Sequence, residues 1–228
     1  MLVALLFLVP SGFAGTVNLQ INNPPSNNVL DGIYVGAYSA TDTQTHAPTQ
    51  IICDDFKDDS NYNPANYTVN TFSTLGSTLW GSGAAIQYKE AAWLTLGMLN
   101  KSGVTQGYYS YAIWAVFAPG EVLSWLKSYN DTAACNAVFG NNCTGTAAAA
   151  GSLLYTAQQN YMNGGNYSNF LILTPQGCSS TGCPEQEFFE PMPVPEGGSA
   201  LIYLLIAGIA CFGAMFYSRR RTAKGGLA

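Results

Sequence analysis

The stretch Gln50-Ile51-Ile52-Cys53-Asp54-Asp55-Phe56 is the clearest strand signal in the first half of the chain. Two β-branched residues followed by a cysteine predict a strand, and the paired acids mark its end. Turn-forming residues separate this run from its neighbours. Three further strands are predicted over residues 16–21, 33–38 and 67–72. The first part of the chain is therefore expected to be a set of β-strands.

The hydrophobic period changes from about two to about 3.6 residues after the fourth strand, which indicates helices. Four helices are predicted, over residues 88–100, 108–117, 121–129 and 146–162. Residues 169–173 and 186–189 return to the strand pattern. Strands at both ends with helices between them predict an α+β domain over residues 15–190, with its first and last strands close together.

The predicted domain is acidic and poor in charge. Residues 15–190 hold twelve Asp or Glu and four Lys, with no Arg. The absence of a basic patch argues against nucleic acid as a partner. The aromatic content argues against a disordered chain, and the length suits one domain with a core.

Both ends of the chain suggest export. Residues 2–9 are apolar and small residues precede Gly15, so residues 1–14 are interpreted as the remnant of a signal peptide that lacks its basic start. Residues 200–217 carry no charge and would span roughly 27 Å as a helix, which predicts a transmembrane helix over 199–218. A Pro/Gly linker over 191–198 precedes it. Arg219, Arg220 and Arg221 begin a basic tail over 219–228, which the positive-inside rule places in the cytoplasm.

The end of the chain resembles the PEP-CTERM sorting tails of Gram-negative bacteria. The resemblance rests on Val194, Pro195 and Glu196, the apolar helix and the arginine cluster, while Gly197 and Gly198 stand where a Pro-Ala pair is commoner. In that family an exosortase recognises and processes the tail. The resemblance implies a cell-envelope protein with one membrane span and its ectodomain outside the cytoplasm, released or transferred to the surface. The membrane and an exosortase-like enzyme are the implied partners.

Cysteine spacing is informative in an exported domain. Cys135 with Cys143, and Cys178 with Cys183, flank turn-rich segments and are candidate disulfides. Cys53 is then left over. It is either a small buried hydrophobic residue, a site of intermolecular pairing, or a residue with its own chemistry.

Cys53 belongs to the first of three short motifs, which are Ile52-Cys53-Asp54-Asp55-Phe56, Tyr111-Ala112-Ile113-Trp114 and Gln186-Glu187-Phe188-Phe189. Together with Glu90-Ala91-Ala92-Trp93 they resemble a group of PEP-CTERM ectodomains. More loosely, the three motifs resemble the thioester domains of Gram-positive adhesins. In that family the cysteine sulfur is joined to the glutamine side-chain carbonyl and the bond acylates nucleophiles on a target. The resemblance implies that Cys53 donates the sulfur and Gln186 the acyl group. Ser110 stands where that family has glutamine.

Three functions are compatible with these patterns. The first is a non-enzymatic surface protein in adhesion or the extracellular matrix, with an exopolysaccharide as a partner. The second is a covalent adhesin that uses a Cys53–Gln186 thioester against a surface nucleophile. The third, a secreted hydrolase, is disfavoured because His46 is the only histidine and falls in a predicted polar loop.

No cofactor or metal is expected from the sequence. Asp54, Asp55, Asp58, Asp59 and Asn61 form an oxygen-rich cluster, but they lack the spacing and the glycine of a calcium-binding loop. We expect a solvated acidic turn there. The Glu-Ala-Ala-Trp and Ala-Ile-Trp segments are expected to be core faces of helices, whatever else they do.

Overall fold

The computed structural model describes residues 15–23, 29–58, 62–163, 167–178 and 183–192. The predicted signal peptide, the sorting signal, the transmembrane segment and the basic tail lie outside the described residues, as do Asp59, Asn61 and Cys211. Within the described ranges, no helix has the length and apolar character needed to cross a bilayer.

Six strands form a closed antiparallel barrel. In chain order the strands are β1 (Gly15–Asn23), β2 (Val29–Leu30), β3 (Ile33–Tyr34), β4 (Ala37–Asp42), β5 (Pro48–Cys53), β6 (Ala65–Asn70), β7 (Phe170–Pro175) and β8 (Phe188–Pro191). The order around the barrel is β1-β4-β5-β8-β7-β6, and β2 and β3 form a separate two-stranded ladder. Closure pairs β1 with β6, so this barrel has no open sheet edge.

Five α-helices lie between β6 and β7 in the chain. They are α1 (Ala85–Met98), α2 (Gly103–Phe117), α3 (Pro119–Tyr129), α4 (Thr132–Val138) and α5 (Leu153–Asn160). The predicted core faces are confirmed: Ala91 and Ala92 on α1 and Ala112 and Ile113 on α2 have no exposed surface. Tyr88 of α1 packs edge-on against Phe189 of β8, so the helices cover the outside of the barrel at β8.

The end of strand β5 (Ile51, Ile52 and Cys53) and the start of its partner β8 (Phe188 and Phe189) are buried on both faces. Cys53 is paired with Phe188, whose ring meets Tyr38 of β4 and Tyr67 of β6. Neither β4 nor β6 neighbours β8, so this face is the barrel interior. The next residue, Phe189, faces the helices. Burial on both faces explains why the strand reads as a continuous apolar run and not as an alternation.

The predicted mixed fold is confirmed, but several details differ. Residues 33–38 are divided between β3 and the start of β4, because Gly36 breaks the run with a φ of 98°. The predicted helix over 146–162 is shorter, and helix α4 was not predicted. The expectation that the first and last strands lie close together is wrong. Strands β1 and β8 are three positions apart around a six-stranded ring, because β8 inserts between β5 and β7.

Both predicted cysteine pairs are at disulfide distance. The Cα atoms are 5.1 Å apart for Cys135 and Cys143, and 4.1 Å apart for Cys178 and Cys183. Cys53 is buried and free. The first pair joins α4 to the loop that follows it.

We expect the double variant Cys135→Ser/Cys143→Ser to lose about 2–3 kcal/mol of unfolding free energy, because opening this short loop restores conformational entropy to the unfolded chain. Urea unfolding of the oxidised wild type and the variant measures the difference. An unchanged midpoint and slope would contradict a stabilising role for this bond.

Candidate functional site

Cys53 and Gln186 meet at one backbone oxygen. The Cys53 thiol donates to the carbonyl oxygen of Asp55 over 2.9 Å, and the Gln186 amide nitrogen Nε2 donates to the same oxygen over 3.0 Å. The sulfur and Nε2 are therefore no more than about 6 Å apart, the sum of the two distances. The structure thus brings together the two residues that the sequence motifs singled out.

The strand register explains this meeting. Cys53 ends β5 opposite Phe188, and Gln186 precedes Phe188 by two residues, so its side chain leaves the strand on the same side. The amide of Asp54 donates to the carbonyl of Glu187 over 3.3 Å and extends the pairing by one step. The chain then turns at Asp55, whose carbonyl faces back towards Cys53.

Trp114 closes one side of this site. Its indole Nε1–H donates to the carbonyl oxygen of Cys53 over 3.0 Å, and its ring lies 5.3 Å from that of Phe56. Ser110, one helical turn earlier, accepts a hydrogen bond from the amide of Gly36 over 2.8 Å. Ser110, which stands where the thioester family has glutamine, therefore links α2 to the break between β3 and β4.

A cavity of about 430 Å³ reaches Gln186 from outside. Its aromatic wall is formed by Tyr34, Tyr38, Phe56, Tyr62 and Trp114, and Asp58 adds a carboxyl group. Gln186 is half-buried and lines the cavity, whereas Cys53 lies behind it and is 1% exposed. A molecule in the cavity would meet the Gln186 side chain before the sulfur.

The electrostatic environment keeps Cys53 as a thiol. Burial raises its pKa well above the ordinary value, and the neighbouring carboxyls of Asp54 and Asp55 raise it further. A thiolate nucleophile of the cysteine-protease type needs the opposite environment, with positive charge nearby. Direct attack by a free Cys53 thiolate is therefore disfavoured.

The opposite face of the two strands carries a buried pair of carboxyl groups. Glu187 accepts hydrogen bonds from the Leu79 amide, the Tyr88 hydroxyl and the Thr174 hydroxyl. Both carboxyl oxygens of Asp54 are buried and receive no hydrogen bond from an N–H or O–H group of the described residues. Burial and then Glu187 raise the pKa of Asp54 well above its ordinary value. A protonated Asp54 donates to Glu187, which satisfies the pair.

The expectation of a solvated acidic turn is wrong for its first two members. Asp54 and Asp55 are fully buried, whereas Asp58 is half-buried at the cavity. Burial raises the pKa of Asp55 to about 6, with Asp58 adding to the effect. Both acids can be buried because a raised pKa favours the neutral, protonated carboxyl. The described part of the chain holds no set of three acidic, histidine or cysteine side chains placed to bind a metal ion.

Glu187, the central hydrogen-bond acceptor of this face, is not among the functional residues that the sequence motifs predict. The sequence does contain a pattern that indicates its position. A glutamate directly before two phenylalanines in a strand predicts a carboxylate on a buried face. His46, the single histidine, lies in the turn between β4 and β5 with a φ of 59° and is exposed.

No protein-family model matches this sequence, and searches of curated proteins and of solved structures give no significant match. The functional interpretation therefore depends on the geometry of the site itself.

The raised pKa values of Asp54 and Glu187 predict that stability falls as pH rises. Both carboxyls bind protons more tightly in the folded state than in the unfolded chain, where carboxyls ionise near about pH 4. Below that pH, the two carboxyls make their full contribution to the unfolding free energy. As pH rises from there towards the native pKa values, this contribution falls by up to about 1.4 kcal/mol per pH unit for each proton.

Asp54→Asn keeps a donor for Glu187 without a titrating proton, so we expect a shallower decline and higher stability at neutral pH. Urea unfolding free energies of wild type and variant, measured from about pH 4 to 8, test this. Glu121→Gln, which removes an exposed carboxylate paired with Lys57, is the matched control. A wild-type stability that rises across this range would contradict the assignment of a protonated pair.

Proposed function

We propose that this chain is a covalent surface adhesin whose domain carries an internal thioester between the sulfur of Cys53 and the side-chain carbonyl carbon of Gln186. One observation supports the proposal above the others. The thiol and the amide, the two groups that such a bond would consume, both donate to the carbonyl oxygen of Asp55. A single acceptor thus holds both reactants at the bottom of an open cavity.

The bond forms without an external reagent. The Cys53 sulfur attacks the Gln186 carbonyl carbon, the carbon–nitrogen bond breaks, and ammonia leaves with the thiol proton. Burial of Cys53 and the ring of Trp114 keep water from the product. A nucleophile on a target surface then attacks the same carbon from the cavity. The target is acylated and Cys53 returns to the thiol form.

The location of this chemistry is proposed from the sequence. The chain would be exported, held by the helix over 199–218, and handled by an exosortase-like enzyme that reads Val194-Pro195-Glu196. The two cysteine pairs at disulfide distance support an oxidising compartment outside the cytoplasm. Each molecule would react once, so the protein is not proposed to be an enzyme.

A second candidate is a surface protein that binds without a covalent bond, in adhesion or in an extracellular matrix. Two observations favour it. Cys53 is protonated and enclosed, which suits an inert core residue. The cavity is lined by aromatic rings, on which sugar rings of an exopolysaccharide can pack.

The intact mass of the purified full-length chain separates the two candidates. We expect a mass lower by one ammonia than the sequence mass corrected for disulfides and terminal processing. Gln186→Glu preserves size but cannot lose ammonia, and Cys53→Ala removes the sulfur, so both variants should lack the deficit. Gln176→Glu, an exposed glutamine beyond β7, should retain it.

The outcome that would reject the covalent proposal is a wild-type mass explained by disulfides alone. Cys53 would then be alkylated in full after unfolding in denaturant. That result would leave the non-covalent surface protein as the better account.

A further inference from the structure

The cavity in front of Gln186 is lined mostly by aromatic rings. Its volume is about 430 Å³. Sites for small molecules usually occupy about 300–1,000 Å³, so this cavity is large enough for a small organic ligand. Five of the nine residues that line it within the described part of the chain are aromatic, namely Tyr34, Tyr38, Phe56, Tyr62 and Trp114.

The rings extend from the mouth of the cavity to its floor. Tyr34 and Tyr62 are 45% and 46% exposed, whereas Tyr38 is buried and Trp114 is 3% exposed. Phe56 is half-buried, between these extremes. Exposed aromatic rings at the rim of a cavity are typical of a binding site. A ligand that enters would be in contact with rings along its whole path.

The aromatic wall is held in place before any ligand binds. The indole of Trp114 donates to the carbonyl oxygen of Cys53 over 3.0 Å, and the Tyr38 hydroxyl donates to the carbonyl oxygen of Tyr34 over 3.3 Å. The rings of Phe56 and Trp114 are tilted by 44°, so they do not stack on each other and both keep ring surface for the cavity. A preformed site avoids part of the ordering cost of binding.

The two-stranded ladder of β2 and β3 forms another part of the wall. It contributes Ile33 and Tyr34 to the lining. The ladder is joined to α2 by the Tyr111 hydroxyl, which donates to the carbonyl oxygen of Leu30 over 2.9 Å. Helix α2 also carries Trp114. One helix therefore positions the ladder at the mouth of the cavity and the indole at its floor.

The charges around the cavity favour a cation. Asp58 contributes a carboxyl group to the lining. The domain over residues 15–190 has four lysines and no arginine, and none of these lysines is among the residues that line the cavity. Lys57, the nearest lysine in sequence, is paired with Glu121 at 3.2 Å and lies over the ring of Trp80. An anionic ligand would therefore find no lysine or arginine partner in the described lining.

We propose that this cavity binds the quaternary ammonium group of a small organic cation without forming a covalent bond. Aromatic rings attract such a cation electrostatically, and a neighbouring carboxyl group adds to the attraction. A quaternary nitrogen has no N–H bond, so it needs no hydrogen-bond acceptor and suits a wall of rings. It also has no lone pair, so it cannot be acylated. The inference therefore does not require the proposed thioester, and choline should leave the intact mass of the chain unchanged.

The test is isothermal titration calorimetry of the full-length chain with choline, in a neutral polyoxyethylene detergent. We expect saturable binding of one choline per chain. The matched probe is the neutral carbon analogue of choline, in which a tert-butyl group replaces the trimethylammonium group. We expect this analogue to bind at least about 10-fold more weakly, because it has the same shape and lacks the charge.

Three variants locate the bound cation. Tyr62→Leu removes a ring at the mouth and should weaken choline binding about 5-fold, whereas Tyr62→Phe keeps the ring and should bind as wild type does. Asp58→Asn should also weaken binding about 5-fold, with a smaller dependence on salt. The control is Tyr155→Leu, which removes an exposed ring on α5 that is not among the lining residues and should change nothing.

Equal affinity for choline and its neutral analogue would overturn the inference, because the cavity would then have no preference for charge. Absence of choline binding at millimolar concentration, with or without binding of a neutral oligosaccharide, would overturn it as well. So would equal loss of affinity in Tyr155→Leu and Tyr62→Leu.

Phosphocholine distinguishes the sources of the ammonium group. Weaker binding of phosphocholine than of choline supports a free cation, because the described lining offers no lysine or arginine for the phosphate. Equal binding of the two supports the same ammonium site with a phosphocholine headgroup as its ligand.

Discussion

The pairing of β5 with β8 at Cys53 and Phe188 is the interaction on which the rest of the structure depends. It inserts the last strand of the domain between β5 and β7 and so completes the barrel. The same register sets Cys53 and Gln186 on one face and Asp54 and Glu187 on the other. A shift by one residue would exchange the faces and place the carboxyls in the barrel interior. Fold and site are therefore specified by one strand pair.

Buried carboxyl groups are the unusual feature of this pair. A barrel end with several acids would normally be solvated, since a buried charge without a partner is costly. Here burial raises the pKa of Asp54 well above its ordinary value and that of Asp55 to about 6, so each carboxyl can hold a proton in place of a charge. The hydroxyls of Tyr88 and Thr174 and the amide of Leu79 complete the inner pair. The arrangement keeps Cys53 a thiol, which is compatible with acyl chemistry and unfavourable to thiolate chemistry.

Sequence patterns predicted the elements better than their assembly. The apolar run at Ile51 and Ile52, the core faces of α1 and α2, and the two cysteine pairs follow from local rules. Barrel closure did not, because it depends on pairings such as Gly15 with Val69 and Cys53 with Phe188 that lie far apart in sequence. The short α4 lacks the length that makes a periodic pattern readable. For the site, motif resemblance selected Cys53 and Gln186, whereas the burial of Asp54 and Asp55 was missed because adjacent acids normally indicate a solvated turn.

The most direct test of the central claim is peptide mapping of the unreduced, wild-type protein after digestion with pepsin at acidic pH, where a thioester survives. An internal thioester predicts a covalently joined pair of peptides, one containing Cys53 and the other Gln186, with a mass lower than their sum by one ammonia. Mild alkaline treatment should separate the pair and leave Cys53 open to alkylation. Recovery of the two peptides as separate species from the untreated digest, with Cys53 alkylated and Gln186 an intact amide, would show that the thioester does not form.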